Sequence, residues 1–98
     1  MTAREGASAD GEESLPAIDF ATFVLSLRHS ALMHLGDAPD PSAGGALRRD
    51  VAMAKQTIEL LAVLQEKTTG NLTGEEERLL DQVMYDLRMR YEEVVREA

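Results

Sequence analysis

The sequence lacks several residue types on which small folds often rely. It has no cysteine and no tryptophan, and only 4% of its 98 residues are aromatic. Without cysteine there is no disulfide framework and no thiolate zinc site, and nothing indicates an oxidising compartment. A chain of this length forms one domain and buries only about three fifths of the surface that its unfolded form exposes. We therefore expect a thin core that a partner would help to stabilise.

Basic residues are also scarce. Ten Lys and Arg stand against 18 Asp and Glu, which gives a net charge of −8. Only the short pair Arg48 and Arg49 comes close to a basic patch. Because nucleic-acid binding relies on Lys and Arg to neutralise phosphates, we expect no nucleic-acid partner and no docking on an anionic membrane.

Long apolar runs are missing as well. The longest apolar stretch, residues 20–35, is interrupted by Arg28, His29 and His34 and is shorter than the roughly 20 residues that cross a bilayer. The first residues contain several acids and no apolar segment of the kind that a secretory signal needs. We therefore expect a cytoplasmic protein with no transmembrane helix.

The chain divides into an N-terminal tail and one helical domain. Residues 1–14 contain Ala, Gly, Ser and acids but no large apolar side chain after Met1, so burial cannot offset the entropy cost of ordering them. This segment is predicted to be a disordered acidic tail, with folding onto a partner as the alternative. Residues 15–98 are predicted to form a single helical domain.

The first helix is predicted at residues 19–35. Asp19 can cap its first turn, and Gly36 can adopt the left-handed conformation that ends a helix. Leu25 and Leu32 lie outside the main apolar stripe and form a second, narrower ridge with the seven-residue spacing of a helix seam. The main stripe consists of Phe20, Phe23, Val24, Leu27, Ala31 and Leu35.

A Pro- and Gly-rich loop, residues 37–45, separates this helix from the second, predicted at 46–69. The second helix has two apolar faces and must therefore be covered on both sides, either by the other two helices or by its own hairpin and a second subunit. One face contains Met53, Leu60 and Leu64, and the other contains Leu47, Val51, Ala54, Ile58 and Leu61.

The third helix is predicted at residues 73–96. Thr73 and Glu76 have the spacing of a capping box at its start. A broad apolar arc follows, and the opposite side carries pairs four residues apart, such as Asp86 with Arg90, that favour ion pairing. Because the turn before it is short, helices 2 and 3 are predicted to form an antiparallel hairpin, with helix 1 packed across it. The predicted fold is therefore an all-α arrangement of three helices.

Three segments of this pattern resemble bacterial domain-of-unknown-function family 1844. They are IDFATFVLSLRHSALMHLG, AKQTIELLAVLQEKTTGNLTGEEERLL and YDLRMRY, and the resemblance covers roughly residues 17–92. It is most specific in the DFATFVLSL opening and the KTTGNLT turn. The resemblance implies a short, soluble, helical bacterial protein, and it implies no activity, cofactor or catalytic residue.

The residues capable of chemistry do not form a recognisable site. His29 and His34 are five apart, which places them about 140° apart on a helix, so they do not suit one metal ion. The carboxylates fall on the face that the pattern assigns to water, and no phosphate loop, nucleophile elbow or zinc motif occurs. His34 and Asn71 remain as polar candidates, with helix capping and turn formation as their structural alternatives. We expect no enzyme activity, cofactor or metal.

These features favour a homo-oligomeric protein-interaction or scaffold module, a dimer or larger. Three helices cannot easily cover both surplus ridges within one subunit. The predicted interface residues are therefore Leu25, Leu32, Met53, Leu60 and Leu64. The alternative function is a regulator that binds a partner helix or small ligand in an apolar groove, with Met33, Met53 and Met84 as an adaptable lining.

Overall fold

The computed structural model describes residues 18–97, and three α-helices contain most of them. α1 spans Phe20–His34, α2 spans Val51–Thr68 and α3 spans Gly74–Glu97. A short 3-10 turn, Pro41–Ala43, lies in the loop between α1 and α2. Within this range extended backbone pairs only as two isolated bridges. The predicted acidic tail, residues 1–14, lies outside the described part of the chain.

The three helices all pack against one another. α2 and α3 form the predicted antiparallel hairpin, in which the Gln65 side chain donates to Asp81 across the two helices at 2.6 Å. The start of α1 lies beside the start of α3, where Ala21 and Leu79 line the same concavity. α1 is therefore parallel to α3 and antiparallel to α2. The prediction of an all-α fold with helix 1 packed on a hairpin of helices 2 and 3 is confirmed.

The core lies along the axis where the three helices meet. The apolar stripes of the helices supply it, as amphipathic spacing requires. Its buried residues are Val24, Ala31, Ile58, Leu61, Leu80, Val83, Met84 and Leu87. A second, smaller cluster of Leu35, Ala54 and Val94 closes the end where α1 stops.

The predicted helix caps form as expected. Asp19 accepts a hydrogen bond from the Thr22 amide at 2.8 Å, which satisfies a free donor of the first turn of α1. Thr73 and Glu76 form the reciprocal capping box of α3, with bonds of 3.1 and 2.8 Å. At the end of α1, Gly36 has a φ of 85°. The left-handed conformation there lets the Asp37 amide reach the Leu32 carbonyl at 2.9 Å.

The second helix begins at Val51, whereas the sequence pattern predicted Ala46. Asp50 is its N-cap and accepts from the Met53 amide at 3.1 Å. The preceding backbone pairs instead with the end of α1, since Arg49 bridges to Leu35 and the Asp50 amide donates to the His34 carbonyl at 2.7 Å. These contacts keep residues 49 and 50 out of the helix. Leu47 therefore lies outside α2 and not in the predicted helical seam, and it is 64% exposed.

Candidate functional site

The second apolar face of α2 is open to solvent. Met53 is 41% exposed and Leu60 is 53% exposed, while Leu64 is half-buried against the core. Lys55, Glu59 and Ala62 occupy the flank of α2 that faces α3. At about 100° per residue, Met53, Leu60 and Leu64 fall on the opposite flank, beside α1. These three predicted interface residues therefore share one stripe.

α1 extends this stripe into a broader surface. Ala21 marks the flank of α1 that faces α3, and Phe23 lies on the other flank, where it is exposed. Ser30 and His34 follow on that flank at helical spacing, and both are half-buried. We name the combined surface the α1/α2 face; it consists of Phe23, Ser30, His34, Met53, Gln56, Leu60 and Leu64.

The α1/α2 face carries no carboxylate, although the chain has 18 acidic residues. α1 contains no Asp or Glu. α2 contains Glu59 and Glu66, of which Glu59 lines the groove toward α3 and Glu66 lies seven residues further along the same stripe. Depletion of charge at an apolar, exposed surface is typical of the centre of protein interfaces.

Leu25 and Leu32 lie on a different flank from the other three predicted interface residues. Leu25 is one helical turn after Ala21, and Leu32 is two turns beyond Leu25, so both lie on the side of α1 nearest α3. Leu32 packs partly against the core, while Leu25 is 45% exposed. The fold therefore does not bring all five residues into one contact surface.

The two polar candidates lie at opposite ends of the bundle. His34 ends α1, close to the start of α2, and its backbone carbonyl accepts from Asp50. Within residues 18–97 no hydrogen bond involves its imidazole. Asn71 is exposed in the turn between α2 and α3, where its amide donates to the Thr68 carbonyl at 2.9 Å. The two side chains cannot act on one ligand.

A polar network lies at the end of the bundle where α1 and α3 stop and α2 starts. Arg90 of α3 binds Asp37 through two hydrogen bonds of 2.7 and 2.9 Å, and also contacts Glu93 at 3.1 Å. Arg49 donates to Glu97 at 2.7 Å and to the Leu35 carbonyl at 3.2 Å. The network joins the end of α1, the approach to α2 and the end of α3.

Electrostatics strengthens this network. The hydrogen bond from Arg90, together with the charges of Arg90 and Arg49, holds the pKa of Asp37 below its usual value. The same hydrogen bond, joined by that to Glu93, raises the pKa of Arg90. The sequence pattern predicted that Arg90 pairs with Asp86, but Asp86 instead accepts from Gln82 at 2.9 Å. Arg90 therefore pairs with Asp37 between helices and with Glu93 along α3, and not with Asp86.

The groove between α2 and α3 is the other apolar concavity of note. It encloses about 290 Å³ and is lined by Lys55, Ile58, Glu59, Ala62, Arg88, Tyr91 and Glu92. The three methionines proposed as an adaptable lining do not meet there. Met84 is only 2% exposed and packs in the core, while Met53 lies on the α1/α2 face.

Within residues 18–97, no three His, Cys, Asp or Glu side chains lie close enough together to hold a metal ion. Over the same range, each helix is too short or too polar to cross a membrane.

Comparison with known proteins identifies the family. The model described as Domain of unknown function (DUF1844) matches residues 17–93. The chain belongs to the DUF1844 family. The match includes α1, α2 and most of α3, so this family member carries the α1/α2 face within the family segment. Neither the curated proteins nor the solved structures contain a match to the chain.

Proposed function

We propose that this DUF1844 family member is a non-catalytic, cytoplasmic protein-interaction module that forms a dimer through the α1/α2 face. The observation that supports the proposal is the exposure of Phe23, Met53 and Leu60 on a surface without carboxylates. Scattered exposed apolar residues are normal, but a contiguous patch spanning two helices indicates a contact site.

Charge favours a second copy as the partner at this face. Two chains of net charge −8 repel each other, and the repulsion is weakest where their carboxylates remain furthest apart. The acids of α2 lie toward α3, and the remaining acids of residues 18–97 lie on α3 or in the segments flanking the helices. Contact through the α1/α2 face therefore keeps the two acidic surfaces on the outside of the dimer.

A twofold axis gives this contact a simple geometry. In an isologous dimer each α2 packs against the partner α2, so the surface needs to complement only itself. Met53 and Leu60 are seven residues apart and Leu64 follows four later, the spacing of an interhelical seam. The contact would bring four helices together as a bundle, with α1 and α2 contributed by each subunit.

The size of the face indicates a reversible dimer. α2 is about 27 Å long at about 1.5 Å per residue, and two helices of about 10 Å diameter give a projected surface on the order of 500 Å². A standard interface buries about 800 Å² on each partner. We therefore expect a concentration-dependent dimer and not an obligate one.

Light scattering over a wide concentration range tests the proposal. The unaltered chain should change from monomer to a dimer or a larger species as concentration rises. Leu60→Glu should raise the midpoint concentration at least about tenfold, because it places an unpaired charge in the contact. Leu25→Glu is the matched control, since Leu25 is similarly exposed on the other flank. A chain that stays monomeric at every concentration, or equal effects of the two variants, would contradict the proposal.

A further inference from the structure

The α2/α3 groove has an apolar floor framed by four charged side chains. Its floor is formed by Ile58, Ala62 and the ring of Tyr91, and its rim carries Lys55, Glu59, Arg88 and Glu92. All four rim residues are exposed. Within the described residues none of the four takes part in an ion pair, unlike Arg49 and Arg90 at the end of the bundle. None of the four charges is therefore committed to another residue within 18–97.

The rim charges alternate around the groove. α2 and α3 are antiparallel with the register fixed by the Gln65–Asp81 hydrogen bond, so Lys55 lies across the groove from Glu92, and Glu59 lies across from Arg88. Along each helix the sign also changes, from Lys55 to Glu59 and from Arg88 to Glu92. Each charge thus has a neighbour of opposite sign both along its helix and across the groove.

This alternation makes the groove complementary to itself. When two copies meet face to face, the twofold axis lies in the plane of contact. An axis along the helices places Lys55 over Glu92 of the other copy and Glu59 over Arg88. An axis perpendicular to the helices places Lys55 over Glu59 and Arg88 over Glu92. Every cation meets an anion in either arrangement.

We propose that the α2/α3 groove is a second self-association surface, which binds the same groove of another copy. A partner of uniform charge would be repelled by half of the rim, whereas a second copy satisfies all of it. The groove lies on the opposite flank of α2 from Met53, Leu60 and Leu64, so both contacts can form at once. Two different twofold contacts on one subunit build a closed tetramer or an extended chain.

The test uses the full chain with Leu60→Glu, which weakens the α1/α2 contact at least about tenfold and leaves the groove unaltered. The two proposals stay separate, because only association through the groove responds to the charges of its rim. A second protein carries Leu60→Glu and also reverses the sign of all four rim charges, which we call the inverted rim. Its four substitutions are Lys55→Glu, Glu59→Lys, Arg88→Glu and Glu92→Arg. The inverted rim keeps opposite charges across its own groove, so any contribution of these charges to folding within one chain is retained. Circular dichroism should show equal helix content in the two proteins.

Sedimentation velocity of each protein alone and of their mixture, with one of them fluorescently labelled, then measures pairing. Each protein should associate with itself. The mixed pair should bind at least about tenfold more weakly, because the mixture places like charges over one another. Absence of self-association in the unaltered groove, or mixed pairs as strong as matched pairs, would overturn the proposal.

Salt provides a second measurement on the same two proteins. Their net charges are equal, so net repulsion cancels when matched and mixed pairs are compared. The difference in affinity between matched and mixed pairs should shrink as ionic strength rises from about 0.05 M to about 0.5 M, because the screening length falls well below 10 Å over this range. A difference that does not change with salt would show that the rim charges are not the contact.

Discussion

Asp37 and Arg90 are separated by 53 positions in the chain and form a two-pronged ion pair with bonds of 2.7 and 2.9 Å. Gly36 has a left-handed conformation, which turns the chain back so that the Asp37 amide bonds to the Leu32 carbonyl at the end of α1. This turn places the Asp37 side chain within reach of Arg90 on α3. The pair joins α1 to α3 next to the point where Arg49 joins the approach of α2 to Glu97. These contacts fix the relative position of the two helices that form the α1/α2 face.

Removal of the Asp37 charge should change the acid unfolding of the protein. Arg90 lowers the pKa of Asp37 in the folded state, so the pair contributes stability above the unfolded pKa of about 3.9 and loses it as pH falls through the lower, folded value. Asp37→Asn should therefore be less stable than the unaltered chain at neutral pH. The difference should shrink below about pH 4.

Denaturant unfolding at several pH values measures this effect. Asp86→Asn is a suitable control, because Asp86 bonds to Gln82 on its own helix and to no arginine. A constant difference between Asp37→Asn and the unaltered chain, from neutral pH to about pH 2, would contradict the account.

Two glycines with the same backbone conformation should respond differently to substitution. Gly36 and Gly70 both have left-handed φ angles, 85° and 86°. A Cβ on Gly36 would lie 2.8 Å from the Arg49 Cγ, whereas one on Gly70 would meet nothing within 4 Å. Gly70→Ala should cost about 1 kcal/mol of unfolding free energy from the backbone conformation alone. Gly36→Ala should cost more, because it also displaces Arg49 from Glu97. Equal losses in thermal or denaturant unfolding would contradict this contact.

The N-terminus of α2 can be tested by substitution of its cap. Asp50→Ala removes the acceptor for the Met53 amide and should lower the unfolding free energy by about 1 kcal/mol. Asp50→Asn keeps a side-chain oxygen that can cap and should lose much less. Denaturant unfolding of the two variants measures the difference. If Asp50→Ala had no effect and Gly45→Ala stabilised the protein, the helix would begin near residue 46 after all.

Much of this architecture follows from local sequence signals. The caps at Asp19, Thr73 and Gly36 depend on residues a few positions apart, so their spacing alone predicts the ends of α1 and the start of α3. The start of α2 does not follow in this way. Asp50 is a favourable N-cap residue, but residues 46–49 have no strong local preference against helix. The pairing of Ala46 with Asp40, and of Arg49 and Asp50 with the end of α1, keeps this segment out of the helix.

The candidate site was predictable in part for a similar reason. Helical spacing places Met53, Leu60 and Leu64 on one stripe, as the fold shows. It does not show which flank of α1 lies beside which neighbouring helix, so the sequence pattern groups Leu25 and Leu32 with them. The Asp37–Arg90 pair was missed because local spacing offered Asp86 as a nearer partner.

Substitutions of two neighbouring leucines on α2 should lower the unfolding free energy by different amounts, because one leucine lies in the core and the other on the α1/α2 face. Leu61 is fully buried, while Leu60 is 53% exposed. Leu61→Ala should lower the unfolding free energy by about 2–5 kcal/mol through lost packing and a residual cavity. Leu60→Ala should cost less than about 1 kcal/mol at a concentration where the protein is monomeric. Calorimetry at low protein concentration checks both values, and comparable losses would mean that Leu60 also belongs to the core.

Disulfide trapping tests the dimer through the α1/α2 face most directly. The chain has no cysteine, so Leu60→Cys and Leu25→Cys each carry a single thiol, and a covalent dimer reports that two such positions meet. Leu60 lies near the middle of α2, where two copies of the helix related by a twofold axis approach each other, and a disulfide requires Cα atoms within about 7 Å. Under mild oxidation at equal concentration, Leu60→Cys should form the covalent dimer much faster than Leu25→Cys. Equal rates, or faster trapping through Leu25→Cys, would contradict association through the α1/α2 face.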